Sequence, residues 1–400
     1  MGSWRKAYGR LGALALIIVA LAACGGSNAT WPPAKPSSAP LASGVHVGVA
    51  SGDFGARASQ PVASGAPRAT ASAATVDQIT ATYTYKDQLI TPLAHLYGEF
   101  LDAFVIITVD NQNSSPVKVV ATSEISGYTS IASDTVTVAA GGSEEIRQNP
   151  RLTTAAIDGL NSEHQADLHV VISYLDNGEP RTILDQTSPT LVTSRRDFPW
   201  TITGMTQQED FNLIVAMVTP SDPSVEQLIR DAANFDPTGQ MAAGYDSEND
   251  QNGTVLQRLA DVWQSETADF HLTYISTPIT FASGSSQRIR LPGEVLDQSS
   301  GNCIELTLLY ASVAEALGMQ PEIIIIPGHA YVAVRVDDTN SSYYFIETTL
   351  IGQATFNEAV ATGLSEWQDA QTHVEAGEAE YGWVDVAAER NEGIVPIPWR

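Results

Sequence analysis

Cysteine is almost absent from this sequence of 400 residues, which contains only Cys24 and Cys303. A disulfide-stapled fold is therefore excluded, because such folds need several cysteine pairs in a short chain. Cys24 lies in an N-terminal segment whose pattern, described below, predicts a modified cysteine. Cys303 therefore has no disulfide partner in the mature chain. An unpaired cysteine of this kind is a candidate reactive thiol.

Positive charge is also scarce. Lys and Arg together number 20 against 46 Asp and Glu, which gives a formal net charge of −26. This balance argues against nucleic-acid binding, which needs a basic surface, and against electrostatic docking on anionic lipid. We interpret the acidity as that of a soluble surface. The acidic run 246–253 is not a calcium loop, because Leu259 would occupy the last ligand position.

No apolar run is long enough to span a membrane. Leu11 to Leu21 is too short, since a spanning helix needs about 20 apolar residues. A basic stretch precedes it, and Leu21-Ala22-Ala23-Cys24 follows it, which resembles the lipobox of bacterial lipoproteins. The resemblance implies that residues 1–24 comprise a lipoprotein signal peptide and the lipobox cysteine, and that Cys24 becomes the mature N-terminus and carries the lipid. The protein would then be held extracytoplasmically at the bacterial cell envelope, with the membrane as partner; an ordinary signal peptide is the alternative.

Residues 25–75 have no helical or strand periodicity. Ala, Ser, Gly and Pro dominate this segment, and they bury too little apolar surface to offset the entropy of ordering. We predict a disordered tether here. The remaining length suits two domains, 76–197 and 198–400, joined near Phe198-Pro199-Trp200.

Short strands separated by turn residues dominate 76–197. The alternation from Ile79 to Tyr85 and the turn Asp176-Asn177-Gly178 are typical of this pattern, which predicts an all-β sandwich. Helices and strands mix after residue 198, so the predicted fold class is α+β. We expect a spacer or partner-binding role for the sandwich, a surface helix over 357–377, and a C-terminal tail, Ile394 to Trp399, that packs on the core.

Cys303 stands at the predicted start of a helix. Asn302 is a good N-cap, and Glu305 completes a capping-box pattern with it. Free backbone N–H groups and the helix dipole favour a thiolate at this position. The alternative is a buried structural cysteine, since free cysteine is often buried.

A predicted strand from Glu322 to Ile326 follows this helix, and the two strands after it carry a histidine and a carboxylate. If the intervening turn is Asp337-Asp338-Thr339, His329 lies directly opposite Glu347. His329 would then be the base for the thiol, although it could be a satisfied core histidine and Glu347 a surface charge. A metal site through Cys303 and His329 has too few ligands, so we expect neither a metal nor another cofactor.

Three motifs in this region resemble the transglutaminase-like superfamily, which is related to papain-like cysteine proteases. They are Gly-Asn-Cys, Gly-His-Ala-Tyr-Val and Ile-Glu-Thr-Thr, between Gln287 and Gly352. A Gln-Arg-Ile-Arg-Leu-Pro lead-in and the tail from Asp385 to Pro398 resemble bacterial modules of the same superfamily and extend the likeness over most of 198–400.

The resemblance implies a papain-like α+β domain with Cys303 as nucleophile, His329 as base and Glu347 as orienting acid, where the superfamily usually has Asp. The oxyanion donors stay open between the backbone N–H of Cys303 and the side chains of Gln287 and Tyr274.

Two functions are consistent with these motifs and with the N-terminal segment. The first is a membrane-anchored thiol enzyme that acts on amide or peptide bonds of a protein or peptide, as a hydrolase or an acyl transferase. The second is a catalytically silent transglutaminase-like module that binds or assembles partners at the cell surface.

Overall fold

The computed structural model describes residues 68–277, 281, 286–338 and 342–398. The predicted signal peptide, Cys24 and most of the predicted tether lie outside these residues. The described residues belong to one compact unit. Within them, no helix combines the length and apolarity needed to cross a membrane.

The N-terminal region is rich in strands. They are β1 (Arg68–Val76), β2 (Ile79–Tyr85), β3 (Gln88–Leu89), β4 (Val105–Asn111), β5 (Val117–Ile125), β6 (Ala132–Val138), β7 (Ser143–Gln148), β8 (His164–Asp176) and β9 (Glu179–Val192), with a 3₁₀ helix at Thr91–Leu96 and helix α1 at Thr154–Gly159. One sheet has the order β1-β2-β4-β7 and the other β3-β9-β8-β5-β6.

The two sheets bury alternate residues of their strands. In β2, Ile79, Ala81 and Tyr83 are buried, while Leu168 and Ile172 of β8 are buried in the same core. The hydroxyls of Tyr83 and Ser188 hydrogen-bond at 2.8 Å and link the two sheets. The predicted β-rich N-terminal region and α+β fold class are therefore confirmed.

Strand β1 corrects the predicted end of the tether. The tether was expected to reach residue 75, but Arg68–Val76 pairs antiparallel with β2, with Val76 beside Ile79. Its sequence of small residues gives little strand signal by itself. Pairing with the neighbouring strand overrides that weak local preference.

The remaining elements alternate helices and short strands. They are β10 (Asp197–Pro199), α2 (Gln207–Asn212), α3 (Pro223–Ala232), α4 (Thr254–Ala268), β11 (Thr273–Tyr274), β12 (Ser286–Arg288), α5 (Pro292–Asp297), β13 (Ser300–Gly301), α6 (Cys303–Ala316), β14 (Pro321–Ile326), β15 (His329–Arg335), β16 (Tyr343–Ile346), α7 (Phe356–Ala376), β17 (Gly382–Asp385) and α8 (Val386–Glu392), with 3₁₀ helices at Leu213–Met217, Glu248–Asp250 and Thr348–Leu350.

The segment predicted to join the two domains is buried. Phe198 and Trp200 are 0% and 1% exposed, and their rings make an edge contact at 4.8 Å. Aromatic burial therefore fixes this predicted junction in the core. Arg195 and Arg196 strengthen the junction, since both bind the carboxylate of Glu294 in α5, at 2.7 and 2.5 Å.

The acidic run at 246–253 forms a helix cap. The carboxylate of Asp250 accepts hydrogen bonds from the backbone N–H groups of Val255 and Leu256 at the start of α4. It also accepts one from the Tyr344 hydroxyl at 2.9 Å. The carboxylate of Asp250 in this acidic run therefore has a structural role.

The antiparallel sheet β16-β15-β14-β17 carries helices on both faces. Helix α6 packs on the face that presents Ile323, Val332 and Val334, within the main core. The other face presents Tyr331 and Phe345 to α7, where Trp367 stacks on Phe345 at 5.2 Å.

Gly363 lets α7 approach the sheet closely. A Cβ at this position would lie 2.8 Å from both the Ile346 nitrogen and the Phe345 carbonyl carbon. The helix predicted at 357–377 therefore exists, but one side of it lies against β16.

Replacing Gly363 with Ala should destabilise the protein. The added methyl group meets backbone, which cannot rotate away, so we expect a loss of about 1–3 kcal/mol in the free energy of unfolding. Denaturant unfolding measures this change. Gly159→Ala is the matched control, because a Cβ there meets nothing within 4 Å. Equal effects of the two substitutions would contradict the close-packing account.

The C-terminal tail packs as expected over its described part. Ile394 and Ile397 are buried, and the Ile397 N–H donates to the Ala216 carbonyl at 2.8 Å. The Val395 carbonyl lies 3.1 Å from Nε2 of His95 in the β-rich region. The tail thus contacts both regions; Trp399 lies outside the described residues.

Candidate active site

Cys303 is the first residue of α6, and the start of this helix is fixed by a full capping box. The Asn302 side chain accepts a hydrogen bond from the Glu305 N–H at 3.1 Å, and Glu305 accepts one from the Asn302 N–H at 3.0 Å. This reciprocal pairing satisfies two N–H groups that the helix leaves free. The position of Cys303 at the helix start follows from it.

The lead-in motif anchors the same capping residue. Arg290 donates through its backbone N–H and through Nε to one oxygen of Glu305, both at 2.9 Å, and through a terminal nitrogen to the other at 2.6 Å. This bidentate pair fixes Glu305, and through it the first turn of α6.

Gly301, two residues before Cys303, lets the backbone pass close to the side chain of Leu306. A Cβ there would lie 2.9 Å from the side chain of Leu306. Gly301 belongs to β13, which pairs in parallel with β11 and places Tyr274 beside Gly301. The glycine of the Gly-Asn-Cys motif therefore has a packing reason.

His329 lies between the thiol and a buried carboxylate. Its Nε2 is 2.6 Å from Oε2 of Glu347, whose side chain is only 3% exposed. The Cys303 side chain lies close enough to the imidazole to raise the pKa of His329. Since Nε2 is engaged by Glu347, Nδ1 is the nitrogen left for the thiol.

This environment holds a proton on His329. Burial alone would lower the pKa of His329, but the neighbouring Cys303 side chain and the carboxylates of Glu347 and Glu366 outweigh it and raise the pKa to about 12. Burial would likewise raise the pKa of Glu347, but the hydrogen bond from His329 keeps it below its ordinary value. The pair is thus an imidazolium and a carboxylate.

The strand register differs from the expected one. Val332 pairs with Ile346 and Ala333 with Phe345, so continuing this register sets Tyr331, not His329, beside Glu347. The prediction that His329 lies directly opposite Glu347 was therefore wrong by two residues, because the β15–β16 connection is longer than the assumed turn. Glu347 still reaches His329 diagonally, and its extra methylene relative to Asp suits that longer path.

Thr349 orients the Glu347 carboxylate. Its backbone N–H donates to Oε1 at 2.8 Å, and its hydroxyl donates to the same oxygen. Oε2 remains for His329. The Ile-Glu-Thr-Thr motif thus supplies both the acid and the group that orients it.

Glu366 of α7 is a member of this cluster that the sequence motifs did not predict. Its Oε2 lies 3.7 Å from Nε2 of His329, and a carboxylate oxygen of Glu366 lies within 4.8 Å of one of Glu347. Burial and the Glu347 charge raise the pKa of Glu366 above its ordinary value. The available signal was weak, since it consisted of one glutamate one turn after a mid-helix glycine.

The two side-chain candidates for the oxyanion hole have different surroundings. Gln287 is 9% exposed, its Oε1 accepts from Trp200 Nε1 at 3.2 Å, and its Nε2 is buried with no hydrogen-bond partner among the described residues. Tyr274 is half-buried and adjoins Gly301 through its backbone. Gln287 therefore has an unused N–H donor. Tyr274 instead lies on the strand that pairs with Gly301, two residues before Cys303.

His329, Glu347 and Glu366 have the residue types of a metal site, and their ligand atoms lie within 4.8 Å of one another. Two ligands on one tetrahedral zinc ion, with bonds of about 2.0–2.2 Å, would be separated by about 3.4 Å. The 2.6 Å contact between His329 and Glu347 is shorter. As placed, these two groups bind each other and do not fit around a shared ion.

The Cys303 side chain is buried, at 0% exposure, while the side chain of His329 is 23% exposed. A substrate would thus meet the imidazole before the sulfur. Attack by the thiolate requires local opening over Cys303.

No family model matches this chain, and no curated protein matches it. A solved protein from Archaeoglobus fulgidus and a putative late embryogenesis abundant (LEA) protein are each 12% identical to it and cover 31% of it. The alignments span 92% of the first chain and 71% of the second, with TM-scores of 0.19 and 0.17. Likeness at this level carries no argument about fold or function.

Proposed function

We propose that this protein is a thiol enzyme that acts on amide or peptide bonds. One observation carries the proposal: a cysteine at a helix N-terminus lies close enough to an imidazole to raise its pKa, and this imidazole contacts a buried carboxylate at 2.6 Å. A nucleophile, a base and an orienting acid in this order are the requirement for covalent acyl transfer. The motifs around these residues support membership of the transglutaminase-like superfamily.

The chemistry follows from the proton held on His329. The Cys303 thiolate attacks the carbonyl carbon, and the C–N bond breaks as His329 gives its proton to the leaving amine. A thioester forms on Cys303. Neutral His329 then takes a proton from water or from an acceptor amine, which attacks the thioester and releases an acid or a new amide, and the thiolate is restored.

The developing oxyanion needs donors close to Cys303. The backbone N–H of Cys303 is one, since the first N–H groups of a helix have no partner within it. The unpartnered Nε2 of Gln287 favours that residue over Tyr274 as the second donor. Both remain candidates.

The substrate is proposed to be a protein or peptide outside the cytoplasm. The support is the lipobox ending at Cys24, which would place the enzyme on a membrane through its lipid, and the amide chemistry of the site. The β-rich region would hold the active site away from the lipid surface.

Replacing Cys303 with Ala should abolish labelling of the chain by a thiol-directed probe at mildly acidic pH. An ordinary thiol is protonated there and reacts slowly, whereas a thiolate held by an imidazolium reacts. Mass spectrometry of the labelled chain identifies the modified residue. Labelling that persists in Cys303→Ala would overturn the assignment.

A second candidate function, a catalytically silent binding module, is favoured by the burial of Cys303. A sulfur that no reagent reaches cannot act as a nucleophile. This alternative predicts slow alkylation at every pH, and partner capture that survives Cys303→Ala.

A further inference from the structure

Glu366 approaches the catalytic histidine from a different element than the residues recognised in the sequence. Cys303 comes from α6, His329 from β15, and Glu347 from the end of β16. Glu366 comes from α7, and its Oε2 lies 3.7 Å from Nε2 of His329. Its side chain is 31% exposed, whereas that of Glu347 is 3% exposed.

The helix places Glu366 there by packing. Gly363 lies against the backbone of Phe345 and Ile346, and Trp367 stacks on Phe345. The two contacts flank Glu366 on either side in the helix and fix it beside the sheet. The packing of α7 therefore fixes the position of Glu366 beside His329.

We propose that Glu366 is a positioning residue of the thiol centre, which forms with Glu347 a pair of carboxyl groups on the Nε2 side of His329. A proton on this pair of carboxyls reduces their negative charge. It therefore determines how strongly the pair stabilises the protonated form of His329. This inference rests on the proposed function and adds a mode of regulation to it.

The charged and titratable groups around the pair come from each packed element. Cys303 of α6 lies near the imidazole, and the ring of Tyr331 in β15 stacks on it with a centroid separation of 6.0 Å. Glu347 contacts its Nε2. Two carboxyls whose oxygens lie within 4.8 Å of each other cannot both ionise without repulsion, so one keeps a proton to higher pH.

Glu366 is the carboxyl that keeps the proton. Burial and the neighbouring Glu347 raise its pKa, while the hydrogen bond from His329 keeps the pKa of Glu347 low. At acidic pH, protonated Glu366 donates a hydrogen bond to Glu347, and His329 faces one negative charge. As pH rises and Glu366 ionises, a second negative charge holds the proton on His329 more tightly, which makes His329 a weaker acid toward the leaving amine.

The decisive experiment is an NMR titration of the His329 imidazole in the full chain, in wild type and in Glu366→Gln. Gln keeps the size of the protonated carboxyl but cannot ionise. We expect His329 in the variant to begin losing its proton at least about one pH unit lower, because an opposite charge within about 4–6 Å shifts a pKa by about one to three units. His329→Ala identifies the resonance.

Alkylation of Cys303 by iodoacetamide supplies a second readout. The wild-type and Glu366→Gln rate profiles should coincide at acidic pH, where Glu366 is protonated, and separate as pH rises. Asp369→Asn is the matched control, since it removes a charge from an exposed position on the same helix. It should leave both measurements close to wild type.

Two results would overturn the proposal. One is a His329 titration in Glu366→Gln equal to that in Asp369→Asn. The other is a difference from wild type that stays constant down to acidic pH, which would indicate a general structural effect. Repeating the titration in Cys303→Ala separates the two proposals, because the carboxyl pair can hold His329 whether or not the thiol is a nucleophile.

Discussion

Replacing His329 with Ala should slow the alkylation of Cys303 at pH 5.5 by about a hundredfold to a thousandfold. A free thiol ionises near pH 8.5, so only about one molecule in a thousand is a thiolate at pH 5.5. In the wild type, His329, whose pKa is raised to about 12, carries its positive charge throughout this range, and the proposed mechanism has that charge act on the sulfur. The measurement is the alkylation rate from pH 4.5 to 9.5.

Glu347→Gln provides an intermediate case for the same experiment. It keeps the shape of the side chain but removes the charge 2.6 Å from the imidazole. The alkylation profile should therefore move toward that of His329→Ala without reaching it. A wild-type profile that is already slow at pH 5.5, and unaffected by His329→Ala, would rule out the ion pair and favour the binding module.

Replacing Glu266 with Gln should stabilise the protein at pH 8 and leave it little changed at pH 4. Glu266 in α4 is 3% exposed, and burial raises its pKa to about 8. Between pH 4.5 and 8 the folded chain keeps a proton that the unfolded chain loses, so the stability of the wild type falls as pH rises through this window. The full difference is on the order of 5 kcal/mol.

Urea unfolding at several pH values tests this expectation. The gap between wild type and Glu266→Gln should grow from about pH 4.5 and level off above pH 8. Glu358→Gln offers a control of opposite sign, because hydrogen bonds from Thr355 lower the pKa of this exposed residue and its ionised form stabilises the fold above about pH 4.5. A gap for Glu266→Gln that is the same at all pH values would contradict the account.

The sequence predicted the parts of the site that depend on local order. The Asn302–Glu305 capping box needs only four consecutive residues, and it forms as expected. The three motif residues Cys303, His329 and Glu347 come together because α6 packs on β15, and β15 pairs with the next strand in the chain, β16.

The missed parts depend on tertiary packing. Glu366 is nineteen positions after Glu347 in the sequence, and its place beside His329 depends on the close approach at Gly363. The β15–β16 register could not be fixed because the polar residues after Val336 allow turns of several lengths. Strand β1 and the burial of Phe198 and Trp200 likewise follow from neighbours that are remote in sequence.

The diagonal contact between His329 and Glu347 links the length of the acid to the alignment of two strands. Moving β16 by two residues would bring the acid directly opposite the histidine, where the shorter Asp would suffice. An Asp at position 347 without that shift would fall short of the imidazole. We therefore expect Glu347→Asp to lose the contact with His329 unless the alignment of β15 and β16 also changes.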